Sequence, residues 1–559
     1  MEKLRMPNLS QIKRKRMLEF LGNIKEEHKN DDEMLIALGE IENELNSKKY
    51  GLVWEEHEEK VDVQMRTHIP VFTEVKEREI SAASNKSYNF LLEGDNLHSL
   101  YLLEKTHKGK IDLIYIDPPY NTGNKDFIYD DSFVDSTDGF RHSKWLSFMA
   151  SRLSIAKNLL SSEGAIFISI DSNEYAQLKM LCDDIFDESN YIGTLIWRKK
   201  TGGGQTDDFF VTEHEYVLGY RKSPEFKWVE YQDEANIEDF KYSDSKGRYT
   251  IVKLEKWGSS AHKEDRPTMY FPIIDPDGND LFPIAPDGKD GRWRVGTDRL
   301  NRLITNDQVH WSKDKKTDRW IPYEKVYYNK SKGKLLKSRS ILYDLAETGT
   351  ATKLLTNIFQ QKDIFNNPKP VELLRFLLLH IQPKIVLDFF AGSGTTAQAV
   401  IEANLEDNND TKFILCTNNE SLICDNVTYP RIKTVITGKR IDGSIYSDGI
   451  PANLKYYRTD FVARDEEFLS DALLEHIAEM IQIEHGVKID DKQYLMIMND
   501  AEADELQKHF DEYNDVKALY VSKNVLLTTE QLKTFDGVEI HIIPDDYFKF
   551  ELKEEGQAW

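Results

Sequence analysis

The sequence has few cysteines and no long apolar run, and both absences narrow the class of protein. Three cysteines in 559 residues are too few for a disulfide framework, and no pair has the spacing of zinc ligands. The longest apolar stretch, around residues 373–381, is interrupted by Arg375 and His380 and is too short to span a bilayer. The basic N-terminus lacks an apolar run of signal-peptide length. We therefore expect a soluble, cytoplasmic protein with no membrane association and no structural metal.

What the chain does have is length, aromatic residues and an uneven charge. The length predicts three or four domains at roughly 150 residues each, and 27 Phe, 26 Tyr and 9 Trp can fill sizeable cores. The net charge of −24 argues weakly against a nucleic-acid partner. However, residues 313–339 hold ten basic and three acidic residues interleaved with aromatics, whereas residues 460–515 hold 17 acidic and four basic ones. The basic window is either a solvated face or a surface for a polyanion.

Strand-like and helix-like runs alternate in two separate parts of the chain. The run Ile111–Ile116 is typical of a buried parallel strand, and residues 165–170 form the next strand-like run after a helical segment that contains Trp145. The same texture returns with a helix over 371–380 and strands over 384–387 and 412–417. This alternation predicts an open α/β sheet.

The region between these two parts differs, because it contains Pro-Asp-Gly turns at 276–278 and 286–288. Such turns predict hairpins and a β-rich insert. We therefore divide the chain into five predicted parts: a mostly helical N-terminal region (1–85), the first half of an α/β domain (86–224), the insert (225–345), the second half of the α/β domain (346–455) and an acidic C-terminal α/β domain (456–559).

A loop with two glycines follows the predicted strand at 384–387. Its residues are Phe390, Ala391, Gly392, Ser393, Gly394 and Thr395. Glycines at a strand-to-helix turn let a ligand approach the backbone, and the following helix N-terminus offers free N–H groups. A tight structural turn is the alternative interpretation. Because Glu420 lies where the next predicted strand ends, and an acid there can bind ribose hydroxyls, the pattern indicates a nucleoside-containing cofactor.

A sharper motif, Asp117-Pro118-Pro119-Tyr120, ends the predicted strand at 111–116. Two consecutive prolines fix the backbone and remove two N–H donors, so the carbonyls before them are free to accept from a ligand. Asp117 adds a carboxylate acceptor and Tyr120 adds a flat face. This combination suits a planar base with an exocyclic amine, whereas the alternative is a rigid loop with a stacked proline.

With the Asp-Pro-Pro-Tyr motif before the glycine loop, the chain resembles the β class of DNA amino-methyltransferases, which use S-adenosylmethionine. Six segments are similar to the modification (Mod) subunits of type III restriction systems: DPPYNTGNKDFIYDDSF, WLSFMASRL, NYIGTLIWRKK, TEHEYVLGYRKS, NNPKPVELL and DFFAGSGTT. The resemblance covers about residues 88–440. It implies a Rossmann-like, circularly permuted methyltransferase sheet, in which the insert is the target-recognition region and the two ends are accessory regions.

The resemblance assigns roles to individual residues. Asp117 and the Pro118 carbonyl would hold the target amine, within a rigid motif completed by Pro119, and Tyr120 would stack on the flipped base. The cofactor would be bound by the glycine loop and by three acids and a lysine, namely Asp388 on the amino-acid part, Glu420 on the ribose, Asp95 on the adenine amine and Lys369 on the carboxylate. For Lys369 a surface lysine is an equal alternative. His214, Glu215 and Tyr216 match a loop near the target base, but a core strand explains them equally well.

Two sets of basic residues are predicted to contact DNA. Arg198, Lys199 and Lys200 precede a Gly-Gly-Gly loop that is either a flexible connection or closes over DNA. Lys330, Lys332 and Lys334 lie in the basic window of the insert, where we expect phosphate contacts.

The sequence therefore predicts a site-specific adenine-N6 DNA methyltransferase that uses S-adenosylmethionine and acts on double-stranded DNA by base flipping. The expected partners are a restriction (helicase–endonuclease) subunit and a second copy of the chain, and the expected location is the cytoplasm, in association with the nucleoid. The alternatives are methylation of cytosine N4, a recognition or scaffold subunit that recruits an endonuclease, and, with less in its favour, an RNA substrate.

Overall fold

A computed structural model describes residues 9–29, 31–46, 54–83, 87–123, 126–129, 132–202, 209–233, 240–258, 260–327, 334–489, 493–513 and 515–556. The chain divides into two compact units. One comprises Met1–Val229 and Arg339–Trp559, and the other comprises Glu230–Ser338. No helix within the described residues combines the length and apolar character that crossing a bilayer requires.

The larger unit is built on one long mixed sheet. In spatial order its strands are His68–Glu74, Asn453–Ala463, Tyr88–Glu93, Lys412–Thr417, Ile385–Asp388, Ile111–Ile116, Leu160–Ile170, His214–Arg221, Tyr191–Arg198 and Ile341–Leu342, and Ile80–Ser81 also pairs with Asn453–Ala463. The six strands from Asn453–Ala463 to Leu160–Ile170 run parallel to one another. This confirms the predicted α/β class.

Both faces of the sheet are covered by helices, which explains why its central strands are apolar on both sides. One face packs against Asn96–His107, Arg141–Leu159, Tyr175–Phe186, Leu469–Leu474, Ile477–His485 and Asp545–Glu554. The other packs against Thr348–Phe359, Val371–Ile381, Thr395–Asp407 and Tyr429–Thr437. Trp145 and Leu153 are fully buried in the first core, and Leu377 and Val400 in the second.

The two ends of the chain contribute to this sheet. The expectation that residues 1–85 are mostly helical holds for Leu9–Glu27, Asp32–Asn46 and Lys60–Thr67, but His68–Glu74 is an edge strand. It pairs antiparallel with Asn453–Ala463, so the expected boundary at 455/456 falls inside a strand. The alternation of apolar residues in a seven-residue edge strand is too weak to find without its partner. Beyond it, Tyr494–Ile497, Ala518–Ser522 and Glu539–Ile543 form a separate parallel sheet beside Asp500–His509 and Thr529–Thr534.

The smaller unit is rich in short antiparallel strands. Its main sheet has the order Tyr242–Asp244, Gly247–Lys253, Trp320–Tyr327 and Val309–Lys313, and the helix Thr297–Thr305 contributes Leu300 to the core. The predicted hairpin at the first Pro-Asp-Gly turn is present, because Ile273–Ile274 pairs with Asp280–Leu281. At the second turn Ile284 pairs with Asp290. A further pair joins Tyr231–Asp233 to Lys334–Leu336.

Candidate active site

The sequence-predicted residues meet at one edge of the long sheet. Four neighbouring parallel strands, Tyr88–Glu93, Lys412–Thr417, Ile385–Asp388 and Ile111–Ile116, end there. Open α/β sheets bind ligands outside the carboxyl ends of their strands. The loops that begin at these ends carry Asp95, Glu420, the glycine loop and Asp117, respectively, so four segments that are far apart in sequence share one edge.

Asp117 lies in a cluster of charged and phenolic side chains that we call the catalytic cluster: Asp117, Tyr120, Lys199, Glu215 and Lys369. Lys369 Nζ donates to Asp117 Oδ2 at 2.9 Å and lies 3.3 Å from Glu215 Oε2. The Tyr120 hydroxyl donates to Asp117 Oδ1 at 2.8 Å and is 3.2 Å from Glu215 Oε2. Lys199 Nζ completes the cluster at 3.0 Å from Glu215 Oε1. Two carboxylates thus face two ammonium groups.

The charges of this cluster control one another. Burial raises the pKa of Asp117, while Lys369 opposes that shift and Glu215 adds to it. For Glu215, burial also acts to raise the pKa, but Lys369 and Lys199 outweigh it and the pKa is lowered. Burial acts to lower the pKa of Lys369, yet Asp117 and Glu215 together raise it. Lys369 is therefore a shared counter-ion that acts to lower the pKa values of both acids.

The proline carbonyls of the motif have different environments. The buried Trp145 donates its indole N–H to the carbonyl of Pro119 at 2.7 Å. No described residue donates to the carbonyl of Pro118, which lies beside the 28% exposed side chain of Asp117. A carboxylate has about four acceptor positions, so Asp117 keeps capacity beyond its bonds to Tyr120 and Lys369. Two acceptors, Asp117 and Pro118, are therefore available next to the ring of Tyr120.

The turn after the motif is anchored by buried polar groups. Asn121 adopts a left-handed conformation with φ 57° and is fully buried. Its Nδ2 donates to Glu174 Oε1 at 2.6 Å and to the Arg141 carbonyl at 3.2 Å, and His142 Nδ1 lies 2.6 Å from the same Glu174 oxygen. Burial raises the pKa of Glu174 to about 8. The second carboxyl oxygen of Glu174 is buried and has no hydrogen-bond partner among the described residues.

The glycine loop has the backbone that its sequence predicts. Gly392 and Gly394 have φ +48° and +79°, and a Cβ at Gly392 would lie 3.2 Å from Phe365 Cζ. The buried Asp388 carboxylate accepts from the Phe390 N–H at 3.0 Å and from Thr396 Oγ1 at 2.5 Å. Burial raises the pKa of Asp388 to about 7. Helix Thr395–Asp407 begins directly after the loop, so the N–H groups of its first turn have no intrahelical acceptor.

Beneath this loop lies a buried arginine that sequence reasoning missed. Arg431 donates to Ser393 Oγ at 3.0 Å, to Thr395 Oγ1 at 2.9 Å and to Gln398 Oε1 at 2.9 Å. Burial lowers its pKa to about 10. Ala391 adds a backbone bond to the Cys416 carbonyl at 3.1 Å. The charged Arg431 therefore holds the loop by donating hydrogen bonds to neutral acceptors. No local sequence motif marks Arg431.

The remaining predicted cofactor residues, Asp95 and Glu420, differ in their local structure and in the contacts around them. Asp95 is the N-cap of Asn96–His107, accepts from Leu97 N at 2.8 Å and lies 3.3 Å from Arg152, with its side chain 35% exposed. Arg152 is fully buried and also binds Glu59, from the N-terminal region. The strand Lys412–Thr417 ends three residues before Glu420. Glu420 is exposed and begins a 3-10 turn.

Lys369 and Glu215, from the 214–216 segment, both lie in the catalytic cluster. The side chain of Lys369 points to Asp117 and Glu215, so its ammonium group is paired with the catalytic cluster. His214, Glu215 and Tyr216 belong to a core strand, and Glu215 nevertheless enters the cluster. The segment is therefore part of a core strand, and the position of its Glu215 beside Asp117 and Lys369 leaves its role near the target base a prediction.

The predicted DNA-contacting residues are only partly described. Arg198 lies 3.4 Å from Glu347, and Lys199 is committed to Glu215, whereas Lys200 is half-buried. Lys330 and Lys332 lie outside the described residues, and Lys334 is described only as the first residue of a strand. Other bases of the window form ion pairs within their own unit: Lys313 with Asp277, Arg319 with Glu255 and Lys325 with Asp244.

These features define an α/β domain with a ligand-binding edge at the carboxyl ends of its parallel strands. The DNA methylase family profile matches residues 111–426, which is more than half of the chain. The chain therefore belongs to the DNA methylase family.

The chain is similar to several individual proteins. The chain is 31% identical over 437 residues to the EcoPI Mod subunit, a type III restriction-modification enzyme of Escherichia phage P1, covering 70% of this chain and 66% of that one. It is 33% identical over 397 residues to the type II methyltransferase M.KpnI of Klebsiella pneumoniae, covering 66% and 90%. The crystal structure of the M1.HpyAVI–SAM complex matches with 15% identity and a TM-score of 0.28, covering 62% of this chain and 98% of that one. The chain spans 54 to 66% of the lengths of three type III Mod subunits.

Proposed function

We propose that this chain is the modification subunit of a restriction-modification system and transfers a methyl group from S-adenosylmethionine to adenine N6 in DNA. The observation that carries the proposal is the position of the catalytic cluster. Asp117 and the Pro118 carbonyl follow one strand, and the glycine loop follows the neighbouring strand. An amine acceptor pair and a cofactor loop therefore lie side by side on one edge.

The residues at this edge fit the proposed cofactor. The left-handed glycines turn the chain into the N-terminus of Thr395–Asp407, whose N–H groups suit the carboxylate of the cofactor's amino-acid part. The exposed portion of Asp95 can accept from an adenine amine. The bound cofactor would supply a methyl group on a sulfonium, which leaves as a neutral thioether. Phe390, Ala391, Thr395 and Asp388 shape the loop, and Glu420 would bind the ribose hydroxyls.

The side chains of the catalytic cluster supply orientation and acceptors. The lone pair of an adenine N6 amine is delocalised into the ring, so the amine is a poor nucleophile. Asp117 Oδ and the Pro118 carbonyl accept its two hydrogens and hold the nitrogen in line with the methyl group. Lys369 acts to lower the pKa of Asp117, which favours its ionised form, and Tyr120, held through its hydroxyl, would present its ring to the base. After transfer the amine loses a proton, which the partly exposed Asp117 can pass to solvent.

Access to this cluster requires the target base to leave the duplex, and base flipping is part of the proposal. Methylation of cytosine N4 is the second candidate, since the same pair of acceptors can hold any exocyclic amine. Asp at the first position of the motif favours adenine. The base is read directly by digesting methylated DNA to nucleosides and separating N6-methyladenine from N4-methylcytosine by mass spectrometry.

The remaining parts of the proposal concern partners. We infer that the 230–338 unit reads the DNA sequence, that the chain forms a homodimer, and that it binds a helicase–endonuclease subunit at the nucleoid in the cytoplasm. Neutralising Lys330, Lys332 and Lys334 together should weaken binding to all DNA sequences to the same extent. Each lost phosphate contact lowers the salt slope of binding by about one unit. An unchanged slope would assign phosphate binding to other residues, with Lys200 as the next candidate.

The decisive experiment for the function uses the purified full-length chain. Incubation with labelled S-adenosylmethionine and genomic DNA from a host without the corresponding modification should transfer label to adenine N6. Absence of label in DNA, with the cofactor bound, would favour the alternative of a recognition or scaffold subunit.

A further inference from the structure

Two neighbouring phenylalanines project into solvent in the segment that leads to Glu215 of the catalytic cluster. Phe209 is 93% exposed and Phe210 is 76% exposed, and Val211 beside them is 37% exposed. Phe209 is the most exposed large apolar side chain in the described part of the chain. Single exposed apolar residues are ordinary, but an exposed aromatic pair next to a site indicates a binding surface.

The base of this segment is firmly attached. Arg198 and His214 are register partners in the strand pair that also aligns the buried Trp197 with Glu215. Beyond the pair, the Lys199 N–H donates to the Glu213 carbonyl at 2.8 Å and the Gly202 N–H donates to Glu213 Oε1 at 3.1 Å. Phe210 is three residues from Glu213 and therefore lies within about 11 Å of it. The aromatic pair is thus tethered near Glu215 of the catalytic cluster.

We propose that Phe209 and Phe210 form a wedge that enters the base stack of duplex DNA and occupies the space vacated by the target base. The proposal rests on the proposed function, because a base that reaches Asp117 brings its duplex to this edge of the sheet. An extruded base leaves a gap lined by two aromatic faces, and apolar side chains are used by other DNA-binding proteins to unstack base steps. Burial between bases would also remove both phenyl rings from water.

A second copy of the chain is the other class of occupant for an exposed aromatic pair. The position favours DNA, since the phenylalanines lie in the segment that leads directly into the strand His214–Arg221, which supplies Glu215 to the catalytic cluster. A contact between copies at this place would compete with substrate for the same edge. The duplex is therefore the occupant that the arrangement favours, and self-association becomes an outcome of the test.

The test compares two substrates that differ only in how firmly the target base is held. The first is a fully paired duplex with the methylation motif, and the second is the same duplex with an abasic site opposite the target adenine. Phe209→Ala/Phe210→Ala should lose about 10- to 100-fold in kcat/KM on the paired duplex, because extrusion loses its support. On the abasic duplex the loss should be below about threefold, because little pairing energy remains to be overcome.

Controls separate this proposal from the function on which it rests. Phe550→Ala removes a 66% exposed phenylalanine from the C-terminal helix and should leave both substrates unaffected. Phe209→Trp/Phe210→Trp, in contrast to the alanine variant, should retain activity on the paired duplex, since a larger aromatic face still fills the gap. The proposal of a wedge is wrong if kcat/KM of the alanine variant falls by the same factor on both substrates or does not fall. It is also wrong if the fall is accompanied by a change in oligomeric state. If the wild-type chain methylates neither substrate, the proposed function itself fails.

Discussion

The catalytic cluster and the glycine loop follow neighbouring strands but differ in the sequence separation of their contacts. In the glycine loop, Asp388 binds Phe390 and Thr396, two and eight positions away, and Arg431 binds Ser393, 38 positions away. In the catalytic cluster, Asp117 binds Lys369, 252 positions away, and Tyr120 binds Glu215, 95 positions away. The loop is therefore held by contacts of shorter sequence separation, whereas the cluster is assembled by the sheet. Mutations should therefore separate binding of the cofactor from the transfer step.

The largest effect is expected from Asp117→Ala. Loss of the acceptor on the reacting amine should lower kcat by about 100- to 1000-fold, with S-adenosylmethionine affinity unchanged because the glycine loop has no contact with this carboxylate. Turnover in methyl transfer and calorimetric cofactor binding are the two measurements. Near wild-type turnover would remove Asp117 from the mechanism, and loss of cofactor affinity would show that the two regions are not independent.

Next in size is Gly392→Val, which tests the other region. A branched residue at φ +48° brings about 1–2 kcal/mol of left-handed strain and places its Cβ 3.2 Å from Phe365 Cζ. We expect cofactor affinity to fall about tenfold or more as the loop shifts. Gly349→Val is the matched control, because that exposed helical glycine has nothing within 4 Å of its Cβ position. Equal affinity in both variants would make the glycine loop an ordinary turn.

Lys369→Met should have a smaller effect on turnover and a clear effect on its pH dependence. Without the ammonium group the pKa of Asp117 rises further, so the carboxylate becomes protonated at higher pH. A group needed in its charged form loses activity below its pKa, and the acid limb of kcat should therefore move to higher pH.

Lys455→Met provides the control for Lys369→Met. Lys455 is also buried and pairs with Glu74, away from the site. Both variants break a buried ion pair and should lower stability, but the acid limb should move only for Lys369→Met. An unmoved limb in Lys369→Met would show that Lys369 acts on stability alone.

The smallest effect concerns Glu174, which anchors the turn after Asp117. Its pKa is about 8 in the folded protein against an ordinary value of 4.5. The native state therefore holds a proton that the unfolded state releases, and stability falls as pH rises through this window. Glu174→Gln should flatten that slope and be more stable than wild type by about 1 kcal/mol or more at pH 8. The exposed Glu372→Gln should keep the wild-type slope, and an unchanged slope in Glu174→Gln would mean that Glu174 is ionised when folded.

The same contrast explains what the sequence could predict. The strands Ile111–Ile116 and Lys412–Thr417 have the predicted bounds, and Ile385–Asp388 is displaced by one residue, because buried parallel strands are apolar and end at turn residues. The glycine loop and Asp117 were found for the same reason, since their motifs are contiguous. Strand pairing between His68–Glu74 and Asn453–Ala463 depends on residues almost 400 positions apart, which periodicity does not reveal.

The partners of the motif residues were harder to find. Lys369 was noted but assigned to the cofactor, and Glu215 was weighed against a core strand, because spacing alone does not show which way a side chain points. Arg431, Arg152 and Glu174 carry no motif and act through buried contacts. A charged residue within a helix or at its N-cap is most often solvent-exposed, so only the fold reveals that these three are buried.

The most direct test of the central claim is modification-sensitive sequencing of host DNA. A host that lacks this modification would express either the wild-type chain or Asp117→Ala. We predict N6-methyladenine at one sequence motif with the wild-type chain and none with Asp117→Ala, although both proteins accumulate and bind S-adenosylmethionine. Unmodified DNA from the wild-type strain, methyl groups only on cytosine N4, or equal methylation in both strains would contradict the account.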